Sequence, residues 1–158
     1  MAKILLTPSD YSAAMEMAKQ RCIEALLSNR VDKVSSKDWY QDHEMHLKGA
    51  VGELALAKYL NLYPGYTLNN FHGMGSDVSG MEVRCRHRGN YDLIVRKDDD
   101  PNKIYVLVRG IPPEMEVVGW ILGRDAMNDR FLEQHGGFGS AWFVPGSFLN
   151  PVESLVKK

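Results

Sequence analysis

Two runs in the second half of the chain limit the fold more than any other feature. Ile104-Tyr105-Val106-Leu107-Val108 and Val117-Val118-Gly119-Trp120-Ile121-Leu122 are apolar almost without a break. A strand with one wet face alternates apolar and polar residues, whereas a run with no polar face is covered on both sides. Both runs are therefore expected to be central strands, and the rest of the chain must supply the layers that cover them. At 158 residues the chain suits one domain.

The remaining elements follow from periodicity and turn chemistry. From Tyr11 to about Asn29 the apolar residues Ala14, Met17, Ala18, Ile23 and Leu26-Leu27 recur at helical spacing, with Ser9 or Asp10 expected as the cap. A polar stretch, Arg30 to Lys37, interrupts the pattern. A second helix is expected from about Lys37 to Leu60, capped by Ser35 or Ser36 and with a break near Gly49. Met81 to Arg86 alternates as a strand does, and Tyr91 to Arg96 reads as another. Turns fall at Ser79-Gly80, Gly89-Asn90, Asp98 to Asn102 and Ile111-Pro112-Pro113. Arg124 to Gln134 is expected as a short helix, Ala141 to Val144 as a short strand and Asn150 to Val156 as a helical turn. The order is α+β, or α/β with a mixed sheet.

Composition removes several function classes. Lys+Arg total 19 and Asp+Glu 20, a net charge of −1, so bulk positive charge cannot hold nucleic acid. A local basic patch remains open. Two cysteines, Cys22 and Cys85, are too few for a disulfide scaffold and point to the reducing cytoplasm. There is no run of about 18 apolar residues to span a membrane. The apolar stretch in Met1 to Pro8 is too short for a signal peptide. His43-Glu44-Met45-His46 has its histidines three apart, not the four that a zinc-protease helix needs. Gly73-Met74-Gly75 has Val78 where a dinucleotide loop has its third glycine.

Three groups of residues do invite chemistry. Glu53 sits in the second helix among Gly49, Ala50, Leu56, Ala57 and Leu60, on the stripe that faces the core. A carboxylate there needs a cation, a metal or a strong donor, and a structural ion pair with an arginine is one answer. On the strand, Glu82, Arg84 and Arg86 share one face, and Met81, Val83 and Cys85 take the core face. A tight turn at Val78-Ser79-Gly80 would return Asp77 to Glu82. Paired carboxylates suit Mg²⁺ or Mn²⁺, while an exposed hairpin with solvated charges is the other reading. Arg84, Arg86, His87 and Arg88 form the one dense basic cluster, continued by Arg96 and Lys97.

In combination, Gly49 to Ala57, Ser76 to Arg84, Tyr105 to Val108 and Val117 to Gly123 resemble the PD-(D/E)XK nuclease-like superfamily, in particular its small phage and prophage members. The likeness covers roughly residues 45 to 125, leaves the first helix uncovered, and rests on order and spacing. It implies a restriction-endonuclease-like three-layer α/β fold, with a central mixed sheet flanked by helices. Residues 1–36 would be an N-terminal helical extension, 37–125 the core and 126–158 a helix and strand tail. The resemblance further implies a Mg²⁺- or Mn²⁺-dependent DNA endonuclease. Asp77, Glu82, the Val83 carbonyl and Glu53 would hold the metal, and Arg84 would join Glu53, Asp77 and Glu82 in catalysis. Arg86, Arg88, Arg96 and Lys97 would contact DNA, and a homodimer would cut both strands. Arg84 stands where the family usually has lysine. It keeps the charge but cannot act as a base. Lys97 is one candidate to replace that lysine. The alternative is a non-catalytic nucleic-acid- or protein-binding module on the same fold.

Overall fold

The computed structural model describes residues 1–27, 38–62, 78–136 and 139–156. The chain runs β1 (Ala2–Leu5), α1 (Pro8–Leu27), α2 (Trp39–Tyr59), β2 (Glu82–Arg86), β3 (Leu93–Arg96), β4 (Ile104–Ile111), β5 (Glu114–Leu122) and α3 (Gly123–Ala126). Then come β6 (Leu132–Gln134), β7 (Ser140–Val144), β8 (Asn150–Pro151) and a closing 3₁₀ turn, Val152–Leu155.

The two apolar runs form β4 and β5, neighbours at the centre of a mixed sheet ordered β1-β5-β4-β2. β2 and β4 are parallel and the other pairs are antiparallel. The alternation of β4 sends Val106 and Val108 to one core, and Tyr105 and Leu107 to a second on the opposite face. Leu107 pairs with Gly119 but Val108 with Val117, so Val118 is the extra residue of a bulge. Val106, Val108 and Val118 are buried, as are Ala50, Leu54 and Ala57 of α2, whereas Trp120 and Leu122 keep partial exposure. The Trp120 indole N–H donates to Ser154 Oγ at 2.8 Å.

α1 and α2 pack on the first face. The expected α/β arrangement with a mixed sheet and helices, compatible with three layers, is present, but on the second face the covering layer is an antiparallel three-stranded sheet, β3-β7-β6, with only the short α3 beside it. Leu93 and Val95 from β3 and Val144 from β7 press onto Tyr105, Leu107 and Ile121. Three further expectations need correction. Arg124 to Gln134 is not one helix; α3 gives way to a 3₁₀ turn at Asp129–Phe131 and then to β6, because the Asn128 side chain caps a new turn at Arg130 N. The N-terminal segment is not only helical, since β1 pairs with β5 as an edge strand. α2 runs through Gly49 without a break and is capped by Asp38, whose carboxylate accepts from Tyr40 N at 2.9 Å. Ser35 and Ser36 lie outside the described residues.

The first helix is also capped differently. Pro8 takes the first helical position, where its missing N–H costs nothing. Thr7 Oγ1 accepts from Asp10 N at 3.2 Å, and the Asp10 carboxylate accepts from Thr7 N at 2.7 Å, a reciprocal box. Asp10 is only 2% exposed and meets Lys58 Nζ at 2.7 Å, which ties the start of α1 to the end of α2.

α2 packs closely on β2 at Gly52. A Cβ at Gly52 would lie 2.6 Å from Cys85 Cβ and 3.0 Å from its Sγ. Gly52→Ala is therefore expected to lose about 1–3 kcal/mol in urea unfolding, despite alanine's better helix propensity. A neutral or stabilising result would show that α2 slides freely over β2.

Candidate functional site

The face of β2 decides where the charged residues go. Val83 is buried in the helix-side core, with Met81 and Cys85 packed against it. Glu82, Arg84 and Arg86 consequently point to the other side, as expected from the period of two. Cys85 lies beside Gly52 and near Glu53, and burial, with that carboxylate's charge behind it, pushes its thiol up to about 12.

Glu53 is 4% exposed, and it is met by a cation from the helix the resemblance left uncovered. Arg21 Nη1 donates to Oε1 at 2.8 Å and Nη2 to Oε2 at 2.7 Å, a bidentate fork. Glu82 is met differently. Lys103 Nζ lies 2.6 Å from its Oε1, and Arg84 Nη1 lies 3.8 Å from its Oε2. The expected convergence of Glu53 and Glu82 on one cleft is not what the fold provides. α2 holds Glu53 on the helix side of β2, and strand alternation turns Glu82 away from it. No group of three His, Cys, Asp or Glu side chains suited to a metal occurs among the described residues. Glu53 and Glu82, each engaged by cations, do not by themselves fit a divalent ion. Asp77 lies outside the described residues. Its neighbouring turn is present: Val78 and Met81 exchange backbone hydrogen bonds of 3.0 and 2.8 Å, with Ser79 and Gly80 both at positive φ.

Arg84 joins two strands and a turn. Its Nε donates to the Ile94 carbonyl at 3.2 Å, its Nη2 to Asp99 Oδ2 at 2.8 Å, and its guanidinium lies 5.1 Å from the centre of the Tyr105 ring. Asp99 also accepts from Arg96 N at 2.7 Å, which fixes the turn after β3. Lys97 is exposed after β3; the lysine that contacts Glu82 is Lys103, at the start of β4. The parallel register that sets Glu82 opposite Tyr105 explains this, and no motif spacing announces it.

Beyond Arg84 the basic residues separate. Arg86, Arg96 and Lys97 line one cleft of about 780 Å³, together with Ile94, Asp98, His135, Ser140 and Phe143. Arg86 lies 4.6 Å from the Tyr91 ring centre and Arg88 5.6 Å, while the Arg109 fork holds the Tyr91 carbonyl at 3.0 and 2.7 Å. Arg86 Nε is enclosed with no hydrogen-bond partner among the described residues. Burial lowers the pKa of this guanidinium, and Arg96 adds to the shift; it remains a cation.

His87 leaves the basic cluster altogether. It lines an apolar groove of about 840 Å³ on the helix side, with Leu5, Leu47, Val51, Ile111 and Lys48. Burial and then Lys48 lower its pKa, against a smaller opposing pull from Glu44. On acidification the unfolded chain takes up this proton first. The stability that neutral His87 contributes is full above the usual histidine pKa of about 6.5 and is lost as pH falls through the lower folded value. His87→Phe is expected to flatten the stability profile between about pH 7 and pH 5 in urea titrations. An unchanged profile would assign the acid sensitivity to other groups.

Compared with protein families, curated proteins and solved structures, the chain matches none.

Proposed function

We propose that this chain is a nucleic-acid-binding module that holds a phosphate backbone in the cleft of Arg86, Arg96 and Lys97. The observation that carries this reading is the gathering of those three cations in one recess of a chain whose net charge is −1. Three cations against the single carboxylate of Asp98 in one cleft can position a backbone without requiring a basic protein overall. Glu53 and Glu82 are each engaged by cations, which favours binding over hydrolysis for the described residues.

The test is a salt titration of oligonucleotide binding, followed by fluorescence anisotropy. Arg96→Ala and Lys97→Ala should each weaken binding, and each phosphate contact removed should lower the slope of log K against log salt by about 0.7 to 0.9. Affinity without salt dependence, or unaffected by both variants, would overturn the reading.

A second reading keeps the restriction-endonuclease-like fold and a Mg²⁺- or Mn²⁺-dependent DNA endonuclease. The turn from Val78 to Met81, which the pairing of Asp77 with Glu82 requires, favours it. This reading rests on Asp77 together with Glu82, without Glu53. Calorimetric Mg²⁺ or Mn²⁺ binding that Glu82→Gln abolishes would support it. Absence of that binding, with no DNA cut, would leave the binding module.

A further inference from the structure

We infer that the strand held in this cleft is single-stranded, with a base laid against Phe143 and His135 while Arg96 and Lys97 hold the flanking phosphates. This rests on the nucleic-acid reading above and narrows it to a substrate class.

The floor of the cleft is the β3–β7 pair, in which Ile94 lies directly opposite Phe143. Phe143 is partly exposed, and its ring centre lies 4.5 Å from that of His135 at an interplanar angle of 49°. His135 also meets Glu133 at 2.8 Å, a contact that helps orient the imidazole. The aromatic pair thus lines the same recess as three cations, Arg86, Arg96 and Lys97, and one carboxylate, Asp98.

That combination suits one form of nucleic acid better than the other. A duplex offers its phosphates on the outside and keeps its bases stacked within, so a recess floored by Ile94 and Phe143 gains nothing from it. A single strand can turn a base out of the stack and place its face on an aromatic side chain. The volume of about 780 Å³ lies in the range of about 300–1,000 Å³ typical of sites that enclose small organic molecules. Arg96 and Lys97 are exposed at the lip, where a backbone entering and leaving the recess would pass. Arg86 sits deeper and half-buried, where its charge faces the recess from the end of β2.

The experiment compares three labelled probes at one salt concentration by fluorescence anisotropy: oligothymidine of about twelve nucleotides, oligouridine of the same length, and a blunt duplex of that length. Both single strands should bind at least about tenfold more tightly than the duplex, since one stacked base is worth that much. Phe143→Ala should bring single-strand affinity down to the duplex level, and Phe143→Trp should retain it. Phe143→Leu keeps the apolar packing of the small sheet and should lose the preference as Phe143→Ala does, which separates stacking from folding. Equal binding of single strand and duplex, or a preference that survives Phe143→Leu, would overturn this inference and leave the phosphate-binding function standing. Failure of every probe to bind would overturn the function itself. Tighter binding of only one single-stranded probe than of the duplex would support the inference for that strand, the two probes differing in both the sugar and the thymine methyl.

Discussion

Glu53→Ala is expected to destabilise the protein by about 3–5 kcal/mol, because it leaves the part-buried Arg21 guanidinium without the carboxylate that its two Nη atoms address. Arg21→Ala should cost a similar amount by taking the bidentate donor from Glu53, which is the more enclosed partner, with its side chain 5% exposed against 21% for Arg21. Replacing both, as Arg21→Met with Glu53→Leu, should recover most of the loss, since well-packed apolar residues often substitute for a buried ion pair at little cost. The sign of the single variant matters more than its size. In a cluster of mutually repelling metal-binding acids, removal of one carboxylate stabilises the metal-free protein. In an ion pair it destabilises. Urea unfolding without divalent cations separates the two, and a stabilised Glu53→Ala protein would return Glu53 to the metal-site reading.

Arg84→Ala should be nearly as damaging, at about 3 kcal/mol, or a fall in Tm of roughly 6–12 °C for a domain of this size. The variant breaks the bonds from β2 to the Ile94 carbonyl and to Asp99, and so uncouples the central sheet from the turn that ends β3. Arg84→Lys should restore only part of this, because an ammonium cannot span the two acceptors as a planar fork does. A fully stable lysine variant would show that the fork is dispensable. Cleavage of DNA appearing in that variant would favour the endonuclease reading.

Much of this arrangement is legible in the sequence, and the parts that are not have definite physical causes. The uninterrupted apolar runs mark the central strands because a strand buried on both faces has no position left for polar residues. The alternation of Met81 to Arg86 places its two faces correctly because the period of a strand is fixed by backbone geometry. The burial of Glu53 follows from its apolar helical neighbours, but its partner does not. Arg21 comes from a different helix, and nothing local ties the two positions. Spacing alone likewise joins Glu53 to Glu82 in one imagined cleft, whereas the sheet has two sides and they occupy different ones. β1 was hidden by its length, since four residues with a lysine among them carry little strand signal. β6 is exposed throughout, so no apolar pattern distinguishes it from a helix or loop. Arg86, Arg96 and Lys97 are visible as charges, yet Phe143 reaches the same recess through the pairing of β7 with β3, and His135 through the pairing of β6 with β7.

The pairing of β1 with β5 bears on how the chain reaches this state. Ala2–Leu5 finds its partner only in Glu114–Val117, about a hundred residues later. During synthesis the early strand emerges well before the strand that completes it, and α1 and α2 can dock meanwhile because their contacts are comparatively local. The Thr7 and Asp10 box, secured by Lys58, anchors the chain just beyond β1 through contacts that do not involve β5. The waiting strand is thereby tethered close to where its partner will arrive, which reduces the loop-closure entropy of its capture. The buried aspartate would then act as a holding point in assembly, and the expected order of events is helices first, central sheet next, sheet edge last, which φ-values across α1, β4 and β1 would check.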